Sequence, residues 1–129
     1  MSSYLLDTHV LLWAAAGSPS LGDRSHRLLA DPGNELWFSV VSVWEIVIKS
    51  RLGRSDFQVD PSAIRDRALR AGYHELPVRG SHALGIAALP AIHADPFDRM
   101  LLAQARTEGW TLLTADRKML TYGPGTAAV

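Results

Sequence analysis

The chain has 129 residues, 47% of them apolar, enough for one domain with a single core and too few for two ordinary domains. Its 13 basic side chains balance 13 acidic ones and it contains no cysteine, which excludes a whole-molecule basic field for nucleic acid, disulfides, thiolate zinc sites and cysteine nucleophiles. The apolar run at 10–16 is too short to span a bilayer and follows Asp7 and His9, where a signal peptide carries positive charge, so the expected setting is cytoplasmic, away from membranes.

Tyr4-Leu5-Leu6 predicts a short strand that ends at Asp7. Val10, Leu11 and Ala14 then carry a helical stripe that stops at Gly17-Ser18-Pro19, and a second helix is expected over 22–30, closed by the turn formers Asp31-Pro32-Gly33-Asn34. The β-branched and aromatic run at 36–41 predicts a strand, and 44–49 predicts a helix lasting to Gly53, with the switch near Ser42. Asp60-Pro61 opens a helix with Ile64, Ala68 and Leu69 on one stripe and Gly72 as its stop. A strand over 73–78 follows, then a helix over 81–89 broken by Pro90, and then a helix over 96–108 ended by Gly109. The last predicted elements are a strand over 110–113 and a short helix ending near Leu120, with 126–129 a candidate edge strand in an ambiguous tail. Strands alternating with helices predict an α/β domain: three layers around a central parallel sheet of four or five strands, since parallel neighbours need crossovers.

In such sheets ligands gather beyond the carboxyl ends of the strands, and four acids fall at those junctions: Asp7, Glu45, Asp98 and Asp116. Each has a bland explanation. Asp7 or Thr8 caps the first helix, Ser42 to Glu45 fits a capping box, Asp95 caps the Pro96 helix with Asp98 at its third position, and Asp116 sits just inside a helix capped by Thr114. The sequence supplies a control, because Asp60-Pro61-Ser62-Ala63 starts a helix with the same Asp-Pro pair as Asp95-Pro96-Phe97-Asp98 and has alanine at the third position. A cap needs no second acid, so Asp98 is the extra group. It shares a face with Leu101, Leu102 and Ala105, which places it at the mouth of a buried stripe. Glu45 similarly precedes Ile48 and Leu52, with Lys49 offering an ordinary surface pair.

If the four converge, like charges repel by roughly 1 kcal/mol per pair at about 4 Å in water, and by several times that in a partly buried cleft. Several such pairs rival the stability of a small domain, about 5 to 15 kcal/mol. Protonation relieves the strain, and so does a divalent cation that keeps the acids ionised. An all-oxygen set suits Mg²⁺ or Mn²⁺.

Leu5-Leu6-Asp7-Thr8-His9-Val10-Leu11-Leu12-Trp13, Ser39-Val40-Val41-Ser42-Val43-Trp44-Glu45-Ile46-Val47-Ile48-Lys49, His93-Ala94-Asp95-Pro96-Phe97-Asp98-Arg99-Met100-Leu101 and Leu112-Leu113-Thr114-Ala115-Asp116 together resemble the PIN-domain family, and within it the VapC-type toxins of type II toxin–antitoxin pairs, over nearly the full length. The resemblance implies a Mg²⁺- or Mn²⁺-dependent endoribonuclease acting on a structured RNA such as tRNA, as a homodimer silenced by a cognate antitoxin. It puts the catalytic acids at Asp7, Glu45, Asp98 and Asp116, with Asp7 and Asp98 as principal metal ligands and Thr114 as the assisting hydroxyl. The tail Gly123-Pro124-Gly125-Thr126 is less apolar than the closing strand of such proteins.

Lys49, Arg51, Arg54, Arg99 and Arg117 are candidate contacts for RNA phosphates, weighed against a solvated face. Trp13, Trp37, Trp44 and Trp110 read as core or interface, Asp95 as a helix cap rather than an outer-shell acid, and His9 and His93 as structural, since no histidine pair has ligand spacing. Two rival readings remain: a non-catalytic PIN-like regulatory or RNA-binding module whose acids only cap helices, and a phosphoryl-accepting receiver domain. The receiver fits poorly, because the central acid is Glu45 and Lys118 lies within a helix.

Overall fold

The computed structural model describes residues 2–129. Five parallel strands form one sheet: β1 (Ser2–Leu6), β2 (Asn34–Ser39), β3 (His74–Leu76), β4 (Thr111–Thr114) and β5 (Thr126–Ala128). Their order is β3-β2-β1-β4-β5, with Leu5 opposite Trp37 on one side and Leu112 on the other. The chain steps outward from β1 through β2 to β3, then returns to lay β4 on the opposite flank of β1. The crevice between the ends of β1 and β4 is therefore the topological switch point, where parallel sheets bind ligands.

Among the described residues, seven α-helices join the strands: α1 (Thr8–Ala16), α2 (Asp23–Ala30), α3 (Val40–Arg51), α4 (Pro61–Arg70), α5 (Gly80–Gly85), α6 (Pro96–Glu108) and α7 (Arg117–Leu120). Alternation along the strands divides the core in two. Leu6 and Leu113 pack with Val10, Leu11, Phe38, Ile46 and Ile64 on one face. Leu5 and Leu112 pack with Leu101, Leu102, Ala105 and Met119 on the other. This is the expected α/β/α arrangement, with both sheet faces covered. The doubtful tail does form the edge strand, pairing Leu113 with Ala127.

Several boundaries differ from expectation. Strand β2 stops at Ser39, and α3 begins at Val40 rather than near Ser42. The Ser39 hydroxyl accepts the Val41 N–H at 3.0 Å, satisfying an amide the helix leaves open. Packing then overrides the strand preference of Val40, Val41 and Val43. The expected capping box at Ser42 is not formed: Ser42 is buried inside the helix, and Glu45 lies in its second turn. Leu52 falls beyond the end of α3 and is exposed rather than on a buried stripe, and Leu69 likewise turns partly outward. Strand β3 is only three residues long, and Pro77, which has no N–H to donate, follows it. The helix expected over 81–89 is α5 followed by a single 3₁₀ turn at Ile86–Ala88.

Candidate active site

Asp7 leaves the end of β1 with its N–H bonded to the Leu113 carbonyl at 2.9 Å, which fixes it at the switch point. Its carboxylate is buried; Oδ1 accepts the Thr8 N–H and Oδ2 the Thr114 hydroxyl, each at 2.6 Å. Burial pushes its pKa up despite those two donors, and the nearby Glu45 charge adds to the rise.

Glu45 is 2% exposed. Its Oε1 accepts the Thr8 hydroxyl at 2.6 Å, and Oε2 accepts the Lys49 ammonium. The Lys49 side chain is only 15% exposed, so this is a buried pair rather than the ordinary surface pair its spacing suggested. Lys49 Nζ also lies 3.5 Å from Asp95 Oδ2. Burial works against the ammonium, but the Glu45 hydrogen bond and the charges of Glu45, Asp95 and Asp98 together hold its pKa above the usual lysine value.

Asp95 is the N-cap of α6, with Oδ1 accepting the N–H groups of Phe97 at 2.8 Å and Asp98 at 3.4 Å. Asp98 follows at the third helical position, as expected. A first-turn acid is normally favoured by the helix dipole, yet the Asp98 carboxyl is pushed up to about 8, first by burial and then by the charges of Asp7, Asp95, Glu45 and Asp116.

Asp116 is itself the N-cap of α7, accepting from Lys118 N–H at 2.8 Å and Met119 N–H at 3.4 Å. The expected cap, Thr114, instead accepts the Asp116 N–H at 3.0 Å while donating to Asp7. Burial raises the Asp116 carboxyl, but the His93 hydrogen bond and the two backbone donors outweigh it and hold the group below the usual range.

His93 joins the last two acids. Its Nδ1 accepts the Asp95 N–H at 3.0 Å, so the hydrogen-bond network assigns the ring proton to Nε2. That atom lies 3.0 Å from Asp116 Oδ2 and 3.3 Å from Asp98 Oδ2. His93 Nε2 and one oxygen each from Asp98 and Asp116 lie within 4.8 Å of one another. The ring in this orientation is a donor to the acids, not an open metal ligand.

All four sequence-predicted acids line one cleft of about 430 Å³, together with Lys49, Arg54 and His93. Among the other phosphate candidates, Arg51 and Arg117 are exposed outside that lining. Arg99 also lies outside it, with a buried Nε that meets no partner among the described residues. Of the tryptophans, Trp13 borders the cleft, Trp37 and Trp110 stack at 4.6 Å, and Trp44 is 58% exposed. His9 pairs with Asp56 at 3.2 Å.

Sequence reasoning took Thr8 and Ser42 only as helix caps; their hydroxyls lie 2.9 Å apart, and that of Thr8 donates to Glu45. The available signal was a polar residue inside each apolar helix start. It also missed the roles of Lys49 and His93, which depend on segments meeting in space.

A hard divalent ion suits this donor set. Asp7 has only uncharged donors, and Asp98 meets no N–H or ammonium beyond the imidazole among the described residues. The raised Asp98 carboxyl is the electrostatic signature of an uncompensated acid cluster.

Residues 4–123 match the family model described as PIN domain, and the chain belongs to the PIN-domain family. It is similar to Ribonuclease VapC22 of Mycobacterium tuberculosis (strain ATCC 25618 / H37Rv), with 27% identity over 123 residues that cover 95% of this chain and 93% of that protein. Its fold is similar to DNA-bound VapBC from Salmonella typhimurium (TM-score 0.70, 14% identity, 100% of this chain and 98% of the other). It is likewise similar to VapBC2 from Rickettsia felis bound to a promoter DNA fragment (TM-score 0.68, 16% identity, 98% and 97%).

Proposed function

We propose that the protein is a VapC-type ribonuclease, the toxin of a type II toxin–antitoxin pair, which cleaves a structured RNA, with tRNA the foremost candidate, in a Mg²⁺- or Mn²⁺-dependent reaction. The observation that carries the reading is that two of the four converging acids do no capping work. Asp7 and Asp116 each accept backbone N–H groups at a helix start. Glu45 lies in a second turn and Asp98 accepts no backbone N–H among the described residues. A module whose acids only cap helices has no reason to bury those two. The similarity to a ribonuclease of the VapC type supports the same conclusion.

Asp7 and Asp98 would hold the ion. When bound, it neutralises the cluster and lowers the pKa of a water placed to attack phosphorus. Thr114 fixes the Asp7 carboxylate through its hydroxyl, and Thr8 and Lys49 fix Glu45. His93 steadies Asp116. Arg54, at the rim, is placed to meet an RNA phosphate, and Arg51, Arg99 and Arg117 are the outer candidates. In-line attack by water on phosphorus, with the P–O3′ bond breaking, the 3′-oxygen leaving and taking up a proton, and the 2′-hydroxyl taking no part, would leave a 5′-phosphate and a 3′-hydroxyl.

The proposed setting is the cytoplasm, as a homodimer bound by a cognate antitoxin. Among the described residues, no helix is long and apolar enough to cross a membrane. An apolar groove lined by Val40, Trp44, Val78, Ile86, Phe97 and Met100 suits association with protein surfaces. The direct test is incubation of the purified chain with total RNA and either Mg²⁺ or EDTA, followed by sequencing of fragment 5′ ends. Cleavage at defined sites only with the ion is expected, and intact RNA under every metal condition sinks the enzymatic reading.

A further inference from the structure

Both oxygens of Glu45 already accept strong donors, the Thr8 hydroxyl on Oε1 and the Lys49 ammonium on Oε2. The ammonium sits in a cage. Asp95 Oδ2 lies 3.5 Å away, and the Phe57 and Phe97 rings face it with centroids at 5.1 and 5.5 Å. Two carboxylates and two aromatic faces around a largely buried position make a cation site, and the chain fills it with its own side chain. The four methylenes of Lys49 start one helical turn beyond Glu45, so the head reaches the carboxylate without leaving the helix surface.

Across the cleft the situation is reversed. Among the described residues, the Asp7 carboxylate meets only a backbone N–H and a hydroxyl, and the Asp98 side chain meets only the His93 ring. On the Glu45 side the Lys49 ammonium offsets one of the two carboxylate charges of Glu45 and Asp95, whereas no ammonium or guanidinium among the described residues pairs with Asp7 or Asp98. Paired-ion phosphodiester sites hold their cations about 3.5–4 Å apart and share carboxylates between them. A second dication near Glu45 would have to share its place with a fixed positive charge.

We propose that Lys49 is the resident cation of the Glu45 side of this cleft, standing where a second divalent ion would otherwise bind, so that each chain takes up one divalent ion, on the Asp7 and Asp98 side. The inference rests on the metal-dependent reading above and fixes the number of ions that reading leaves open.

Mn²⁺ titration of the full-length chain, with free ion followed by electron paramagnetic resonance and heat by calorimetry, counts the sites without reference to cleavage. The wild type is expected to bind one Mn²⁺ per chain. Lys49→Met, which keeps the length and removes the charge, should bind two, as should Lys49→Gln if the methionine variant fails to fold. Lys49→Arg should remain at one, and Asp98→Asn should bind none. Two ions in the wild type overturn the role of Lys49 and leave the nuclease reading standing. A folded, uncharged variant that stays at one ion has the same meaning. Absence of any Mn²⁺ binding by the wild type overturns both.

Discussion

Two helices of this chain begin with the same Asp-Pro pair, and their surroundings separate a structural acid from a chemical one. At the start of α4, Asp60 accepts the Ser62 N–H at 3.0 Å and its hydroxyl at 2.9 Å in full view of solvent, and Ala63 holds the third position. At the start of α6, Asp95 makes the same cap, but its second oxygen faces Lys49 and the third position is Asp98. Both helices are adequately begun by one acid. The second acid of α6 is held against burial and four neighbouring negative charges, an arrangement that stability alone would remove. Identical local chemistry therefore does different work, depending on whether the helix N-terminus opens into the cleft, as that of α6 does through Asp95 and Asp98.

Asp98→Asn should break the comparison most sharply. RNA cleavage is expected to fall by more than about 100-fold, since even partners outside a metal's immediate ligands are worth about 10–100-fold. The metal-free protein should gain stability in chemical denaturation at neutral pH, because a neutral amide needs neither the unfavourable charge nor the proton that the enclosed carboxyl must take up on folding. Asp60→Asn should change neither quantity detectably, since Asn caps as well as Asp.

The second difference lies in pH. The folded Asp98 carboxyl is raised to about 8 from the ordinary carboxylate value of 3.8, so between those values the folded state keeps a proton that the unfolded chain has released. The Asp98 contribution to the stability of the metal-free protein should be greatest below about pH 4, decline as pH rises toward 8, and level off above it. Mn²⁺ affinity should run the opposite way, rising between pH 7 and 8 as the proton competes less. Calorimetry across that range checks both, and a metal-free stability slope unchanged in Asp98→Asn would remove Asp98 as its source.

Hydroxyl partners give a smaller contrast. Thr114→Val leaves the buried Asp7 oxygen without its donor, which should cost about 1–3 kcal/mol by urea unfolding. Ser62→Ala beside the exposed Asp60 should stay within about 0.5 kcal/mol. Smallest of all is the effect on cleavage of Asp60→Ala, which should cost about 1 kcal/mol of stability as a lost cap while the rate per folded molecule stays at the wild-type level.

The same comparison shows how far the sequence could be read. Asp98 was visible because Ala63 showed that its position is dispensable for capping, and Asp7 because a strand ends on it. Glu45 was placed at the right junction for a partly wrong reason: Val40 and Val41 read as the end of the strand, and packing turns them into the first turn of α3. His93 and Lys49 carry no periodic signal of their own. Their roles arise where 93–95 meets 116 and where 49 meets 95, contacts that follow from the order β2-β1-β4 and from no local pattern. The edge strand β5 was legible only as a candidate over 126–129, since three small residues become a strand only through pairing with β4.

The hydrogen bond between Asp7 and Thr114 joins residues 107 positions apart, with consequences for the timing of synthesis. Asp7 and Glu45 emerge from the ribosome early, but the cleft has no second wall until β4 is translated and docked against β1. Parallel pairing over such separations is slow to form. A product that stops before that strand lacks Thr114 and Asp116, so on the proposed function it should not cleave RNA.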